Sequence, residues 1–461
     1  MRVVLGSVLL LALGGAFACA METEAADTER GRGSSLGRSS DSTTPSAKAE
    51  APGAAAASAA PLAPLPTPRL MGVRETCKLI NGTGVDDPTA NNLHFETNLK
   101  GTDLGIPVQH DGTVYFFFGD SIGFRGIWNF GESQPDAVGF ANAADVARDP
   151  GTLCSQMSFL RVAGDAVGPR EDARIKTDWA AVSMAPPPGH TLGEFIRNPA
   201  GHGKFPNLPG DFEVPSGAFS ANGSIYVFYT TVNAQVQMKG SYLAKWKAPS
   251  PNGQPNLDIL YHVDQRFDPS GELRGDFINN ATMVVGDHVY VYGSGEYRAS
   301  PIQLARKKLA ALDTPGGFER FDAATKTWKG PREATTPIVT VAATGELSVR
   351  FYPSIGRYMM MAQEGTPTRN QIVARFSAAP EGPWSEGVVV ADMADAGWRG
   401  KYCCAGNACN GEQLFHCDRA GFYGTYLLPE VQKNANGSFV TTFLMSTWDP
   451  YNVALMQATF E

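Results

Sequence analysis

Five times along this sequence a tight-turn signal runs straight into an apolar segment, and that recurrence limits the fold more than any other feature. His110-Asp111-Gly112 precedes Val114 to Phe118, and Ala221-Asn222-Gly223 precedes Ile225 to Tyr229. Gly286-Asp287 precedes Val289 to Tyr292, Ile355-Gly356 precedes Tyr358 to Met361, and Asn436-Gly437 precedes Phe439 to Leu444. Asp-Gly and Asn-Gly supply the positive φ that tight β-hairpins require, so each unit reads as a hairpin.

A second strand signature completes the unit. It reads Tyr242-Leu243-Ala244-Lys245, Gln303-Leu304-Ala305-Arg306, Ile372-Val373-Ala374-Arg375 and Asn452-Val453-Ala454-Leu455. A weaker copy, Phe159-Leu160-Arg161, falls in the first unit after a long insertion from Ser121 to about Gln156. The runs Val114 to Phe118 and Tyr358 to Met361 are apolar without alternation, which marks strands covered on both faces. Stacked propeller blades cover their middle strands in this way, whereas a two-sheet sandwich, the competing arrangement, alternates apolar and polar residues. The sequence therefore predicts an all-β, five-bladed β-propeller over residues 72–461. Because the last unit ends on its second signature at Gln457 to Phe460, Thr76 to Ile80 is expected to supply the missing outer strand and close the ring.

Composition restricts the partners. Gly 50 and Pro 32 suit a turn-rich β protein, and the net charge is −8 with no basic block. Nucleic acid and anionic membrane surfaces are excluded as partners, and a neutral ligand such as a sugar remains. Arg2, the apolar run Val3 to Leu13 and small residues to Ala20 form an export signal over residues 1–19, too short to span a bilayer. Ala16-Phe17-Ala18-Cys19 reads as a loose lipobox with Cys19 lipidated, and equally as an A-x-A cleavage site. The Ala/Ser/Pro-rich, disordered tether over 20–71 favours lipidation. The expected location is the outer membrane or cell surface as a lipoprotein, or the medium as a secreted protein. The remaining cysteines, Cys77, Cys154, Cys403, Cys404, Cys409 and Cys417, are an even set that export would oxidise, with 15 pairings open.

Propeller geometry then narrows the chemistry. The start of each innermost strand and the end of the next share one face, near the axis. Those positions hold Asp103 and Asp120; Glu213 and Ser216 with Thr231; Asn279 and Asn280 with Glu296; Glu346 and Arg350 with Glu364; and Tyr426 and Trp448. Several carboxylates in one mouth suit glycoside hydrolysis, which needs one protonated carboxyl and one ionised carboxylate. Crowding of like charges raises one pKa and supplies the acid. Trp128, Trp448 and Tyr451 are candidates for stacking on sugar faces. The duller alternatives are that Glu296 and Glu364 are rim charges paired with Arg298 and Arg369, and that Trp448 is core. Asp103 and Asp120, short acids flanked by Gly at the axial edge of one blade, are the favoured functional pair. No His-Glu-x-x-His helix occurs. The His residues show no metal spacing. No cofactor is expected, and a structural Ca²⁺ in the channel is not readable from sequence.

Gly101-Thr102-Asp103-Leu104-Gly105-Ile106-Pro107, His110-Asp111-Gly112 and Phe118-Gly119-Asp120-Ser121 resemble the opening of domain-of-unknown-function family 4185. Val214-Pro215-Ser216-Gly217-Ala218 and Trp448-Asp449-Pro450-Tyr451-Asn452-Val453 are similar to its later blades, and the resemblance covers roughly residues 85–460. Members are placed among family 183 glycoside hydrolases as endo-D-arabinanases, acting on the arabinan of mycobacterial arabinogalactan and lipoarabinomannan. The resemblance implies a five-bladed propeller with essential acids in its first blade, which carry over onto Asp103 and Asp120. The expectation is an exported, monomeric endo-arabinanase with those two catalytic residues. Glu213, Ser216, Asn280, Glu296, Arg350, Glu364, Trp448 and Tyr451 would bind substrate or support the site. The rival is a non-catalytic glycan-binding or adhesion propeller.

Overall fold

The turn dipeptides set the hairpins. Asp111 and Gly112 have φ of 43° and 77°, and Asn222 and Gly223 have 51° and 67°. Both central residues of each turn are left-handed, which matches the natural twist of two-residue β-hairpins. Each turn joins the inner strand of a blade to its second strand. The computed structural model describes residues 66–80, 99–123, 136–160, 212–233, 237–250, 257–266, 272–342, 344–366, 369–405, 409–418, 420–448 and 450–461. The export signal, Cys19, most of the tether and Trp128 lie outside the described residues.

Five antiparallel sheets of four or five strands follow one another along the chain. The first blade runs from Leu104–His110 through Thr113–Asp120 and Asp136–Asn142 to Ser158–Phe159. The second runs through Phe212–Ala221, Ser224–Val232, Met238–Lys247 and Leu257–Gln265. The third runs through Asn279–Val285, His288–Ser294, Gln303–Lys308 and Glu319–Asp322, with Thr327–Lys329 added at its edge. The fourth runs through Thr344–Tyr352, Arg357–Thr366, Arg369–Ser377 and Val388–Asp392. The fifth holds Phe422–Lys433, Phe439–Thr447 and Asn452–Phe460, and its fourth strand is Leu70–Ile80. Each inner strand touches the inner strand of the next blade, and the fifth touches the first, so the ring is closed.

The closing strand was legible in the sequence and is longer than expected. Val73 pairs with Ala458, Cys77 with Leu455 and Ile80 with Val453. Strand begins at Leu70, so Leu70 and Met71, assigned to the tether from composition, already belong to the sheet. The second signatures of the other four blades are the third strands of those blades. In the first blade the copy at Phe159 and Leu160 is not that strand, Arg161 lying outside the described residues: Ser158–Phe159 is the outer strand, and the third is Asp136–Asn142, inside the segment read as an insertion. Helical turns over Ala143–Arg148 and Leu153–Gln156 follow that strand.

The apolar runs are covered twice, as their lack of alternation predicts. Ser224–Val232 is buried at every position, and Thr113–Asp120 at all but its ends. The core accordingly lies between neighbouring blades. Tyr115 meets Trp246 edge-on at 5.2 Å between the first and second blades. Phe228 and Val291 share a cluster between the second and third, and Tyr292 and Met360 share one between the third and fourth. Met359 and Phe443 share one between the fourth and fifth.

The six cysteines form three disulfides, Cys77–Cys154, Cys403–Cys417 and Cys404–Cys409. The first joins the closing strand, which is paired into the fifth blade, to a helix of the first blade. The other two staple the loop that follows helix Ala396–Tyr402. Tyr402 Oη donates to Val73 O at 3.1 Å, and Lys78 Nζ donates to Gly411 O at 2.8 Å, so this loop leans on the closing strand.

Candidate active site

Three segments of the first blade meet at one end of the ring: the entry to the inner strand, the exit of the second and the entry to the third. A small polar lattice ties them together. Gly119 N donates to Asp103 O at 3.0 Å, and Thr102 Oγ1 donates to Gly119 O at 3.1 Å. Ser121 Oγ donates to Gly119 O at 2.9 Å and accepts from Ala137 N at 3.1 Å. Each segment carries one acid: Asp103, Asp120 and Asp136. A register shift between Phe117 and Asp120 re-aims the end of the second strand and sets Asp120 directly opposite Asp136.

Asp103 is fixed from several sides. Leu104, next to it, holds the left-handed φ of 61°, a conformation that costs a non-glycine residue energy and recurs at functional sites. Leu104 N donates to Ser446 Oγ of the fifth blade at 2.7 Å. Gly119 has to lack a side chain, because a Cβ there would collide with Asp103 Oδ1 and lie 2.9 Å from Leu104 Cδ1. Tyr423 Oη donates to Asp103 Oδ2 at 2.9 Å, and the Tyr451 hydroxyl also hydrogen-bonds this carboxyl.

Glu213, at the start of the second blade's inner strand, completes the acidic pole. Asp136 is 2% exposed, Glu213 3% and Asp103 9%, while Asp120 is half-buried. Burial pushes all four carboxyls up, Asp120 to about 7 and the other three well above the ordinary range. After burial, the charge of Asp120 is the next cause for Asp103, Asp136 and Glu213. Among the described residues, the charged groups acting most strongly on Asp103, Asp136 and Glu213 are other carboxyls. Asp103 Oδ1, Asp120 Oδ1, Asp136 Oδ1, Tyr229 Oη and Tyr426 Oη are buried without a hydrogen-bond partner among the described residues. Such unsatisfied groups are costly and call for a ligand, water or proton.

A second pole faces them from the third and fourth blades. Tyr297 Oη donates to Glu346 Oε2 at 3.1 Å, and Arg298 Nε donates to Gln363 Oε1 at 3.2 Å. The Arg298 guanidinium lies 4.6 Å from the Tyr297 ring centre. Glu346 is raised by burial and pulled back by Arg298. Tyr423 feels the charge of both Asp103 and Glu346 and so lies between the poles.

The sequence-predicted residues divide accordingly. Asp103, Asp120, Glu213 and Tyr451 converge. Trp448 packs edge-on against Tyr451 at 5.2 Å. Asn280 is buried and donates to Phe277 O at 3.0 Å, with its Oδ1 unpartnered. Ser216 and Arg350 instead line the axial channel, with Ile106, Pro107 and Tyr426. Ser216 Oγ lies against Phe228 O at 3.4 Å. Arg350 Nε donates to Leu427 O at 2.7 Å, and its Nη2 reaches Pro107 O, so the guanidinium ties the fourth blade to the fifth and the first. Glu296 pairs with Arg266 at 3.5 Å rather than with Arg298. Glu364 is closed off in a buried ion pair with Arg375; the side chain of Arg369, its expected partner, lies outside the described residues. Asp136 and Tyr423 were not anticipated. Asp136 was hidden because the third strand of its blade had been read as insertion; a third strand starts where the second ends, and that rule would have found it.

Among the described residues, Cys404, Cys409 and His416 are the one group of three side chains whose ligand atoms lie within 4.8 Å of one another. Two of them are joined as a disulfide, which removes both thiolates as metal ligands. The carboxyl cluster offers different chemistry: several carboxyls raised well above the ordinary range by burial, with a tyrosine hydroxyl donor on one of them.

Residues 89–457 match the family described as Domain of unknown function (DUF4185). No curated protein matches the chain. Among solved structures, a candidate hydrolase from Bacteroides ovatus is similar at 14% identity and TM-score 0.48, over 78% of this chain and 86% of that one. The catalytic domain of Coprinopsis cinerea GH62 α-L-arabinofuranosidase is similar at 12% identity and TM-score 0.43, over 85% and 97%. Cellvibrio cellulosa α-L-arabinanase is similar at 12% identity and TM-score 0.40, over 77% and 91%. The fold of this chain rests on its own five sheets.

Proposed function

This chain belongs to the DUF4185 family, and from that premise we propose that it is an exported, surface-tethered glycoside hydrolase that cuts α-D-arabinofuranosyl linkages within D-arabinan. The substrate class comes from the family resemblance carried by the Asp103 and Asp120 segments. The observation that carries the chemistry is the convergence of those two carboxyls, in which the charge of Asp120 adds to burial in pushing Asp103 up.

In this reading Asp120, the least buried of the first-blade acids, carries the negative charge and activates water or attacks the anomeric carbon. Asp103 stays protonated and gives its proton, from Oδ1, to the leaving oxygen. Tyr423 on Oδ2 stabilises the carboxylate that proton donation leaves behind. Glu213 supports the difference between the two by remaining neutral. Tyr451 and Trp448 offer ring surface for a sugar.

The test is to incubate the purified protein with mycobacterial arabinogalactan and look for released oligosaccharides. Release that disappears in Asp103→Asn and Asp120→Asn, with glycan binding retained, supports the enzyme. Binding without any release by the wild type supports the adhesion reading instead.

A further inference from the structure

Asp136 has no role in the mechanism just given, yet it is the most buried carboxyl of the centre. It opens the third strand of the first blade, directly across the ladder from Asp120. Opposed residues in antiparallel strands bring their Cβ atoms to about 5 Å, within reach of a carboxyl–carboxyl hydrogen bond. Asp136 Oδ1 and Asp120 Oδ1 both lack a partner among the described residues.

The groups that face Asp136 are of one kind. From the second strand comes Asp120, from the entry to the inner strand Asp103, and from the second blade Glu213 and Tyr229. None carries positive charge. Two like charges at that spacing in a site closed to water cannot both persist, so a proton or a cation has to sit between them. A cation held by three of these carboxyls needs their oxygens close together, and no three of them meet within 4.8 Å. A proton satisfies both orphaned oxygens at once.

We propose that Asp136 works as a neutral carboxylic acid that donates a hydrogen bond to Asp120 and thereby makes Asp120 the ionised member of the centre. Asp136 is a positioning residue: it acts through Asp120 and does not touch the sugar. The inference rests on the hydrolase reading for its consequence in catalysis, but the protonation of Asp136 has a signature of its own in stability.

Two measurements on the full-length protein test it. The first is the pH profile of kcat/KM on mycobacterial arabinogalactan for wild type, Asp136→Ala and Asp136→Asn. Alanine removes the donor, so Asp120 becomes harder to ionise and the acid limb moves up by about 1 pH unit. Asparagine keeps an N–H donor and returns the limb toward its wild-type position. A limb that moves down in either variant overturns the proposal, because it means a negative Asp136 had been removed. The second is the melting temperature of wild type and Asp136→Asn from pH 4 to 7. A carboxyl kept neutral by the fold makes folding take up a proton as pH rises, so wild type loses stability across that range. Asparagine has no such cost, and the gap in its favour widens with pH. A constant gap, or one that narrows, overturns the proposal. Should the wild type hydrolyse no arabinan, the hydrolase reading falls and the melting series alone decides this one.

Discussion

Tyr423 of the fifth blade donates its hydroxyl to Asp103 of the first, at 2.9 Å and across 320 residues of sequence. The bond closes the ring chemically at the point where the proposed acid sits. Tyr423→Phe removes a donor that favours the ionised form of Asp103, so its pKa rises further. The alkaline limb of the pH–rate profile should then move upward. The rate at its optimum should fall roughly tenfold, because the conjugate base loses its stabilising donor. Stability should change by about 1 kcal/mol, read by chemical denaturation.

Gly119→Ala tests how tightly Asp103 is seated. The added Cβ collides with Asp103 Oδ1 and crowds Leu104, so the carboxyl has to move. Displacement of a reacting group by about 1 Å can cost on the order of 100-fold in rate. The expected result is that loss in an oligosaccharide-release assay, with the circular dichroism spectrum retained.

Asp120→Asn should lower hydrolysis by roughly 10²–10⁴-fold, as loss of an acid–base group does. It should also alter the pH dependence of stability. Asp120 moves from an ordinary 3.8 to about 7 in the fold. The folded state therefore holds the proton longer than the unfolded chain, and stability is lost as pH rises between those values. The variant lacks this contribution, so its melting temperature should fall less from pH 4 to 7 than that of the wild type.

Arg350→Met should act on stability alone. Its guanidinium satisfies the carbonyls of Leu427 and Pro107 inside the channel, and truncation leaves buried acceptors unpaired. A loss of roughly 3 kcal/mol is expected in denaturant unfolding, with KM for arabinan unchanged.

Cys77→Ser should cost about 4 kcal/mol, because the Cys77–Cys154 bond closes a span of 77 residues. Cys404→Ser, which opens a span of 5 residues, should cost about 2 kcal/mol. Unfolding curves of the two variants compare them directly.

The blades were legible because their second strands are apolar at consecutive positions, and only double coverage tolerates that. Asp103, Asp120 and Glu213 were legible because strand ends fix height along the axis. Height was not enough for Arg350. Four residues beyond Glu346 on the same strand, it lies roughly 13 Å deeper, in the channel. Glu296 was misread in its partner, since Arg266 comes from the end of the neighbouring blade, a long-range pairing that a single sequence does not state. Disulfide pairing was open for the same reason. Asp136 was lost because one blade has its middle interrupted, and the wrong copy of the signature took its place.

Leu70–Ile80 completes a sheet whose other strands are made last: Arg74 meets Gln457 across 383 residues. Until Asn452–Phe460 exists, this early segment is an unpaired edge with every ladder group free, and non-local pairing of that kind is slow. A molecule refolding in a crowd of its own copies meets another chain's vacant edge as readily as its own. Concentrated refolding should therefore yield strand-exchanged oligomers, each ring finished by its neighbour's first strand, while dilute refolding yields single rings.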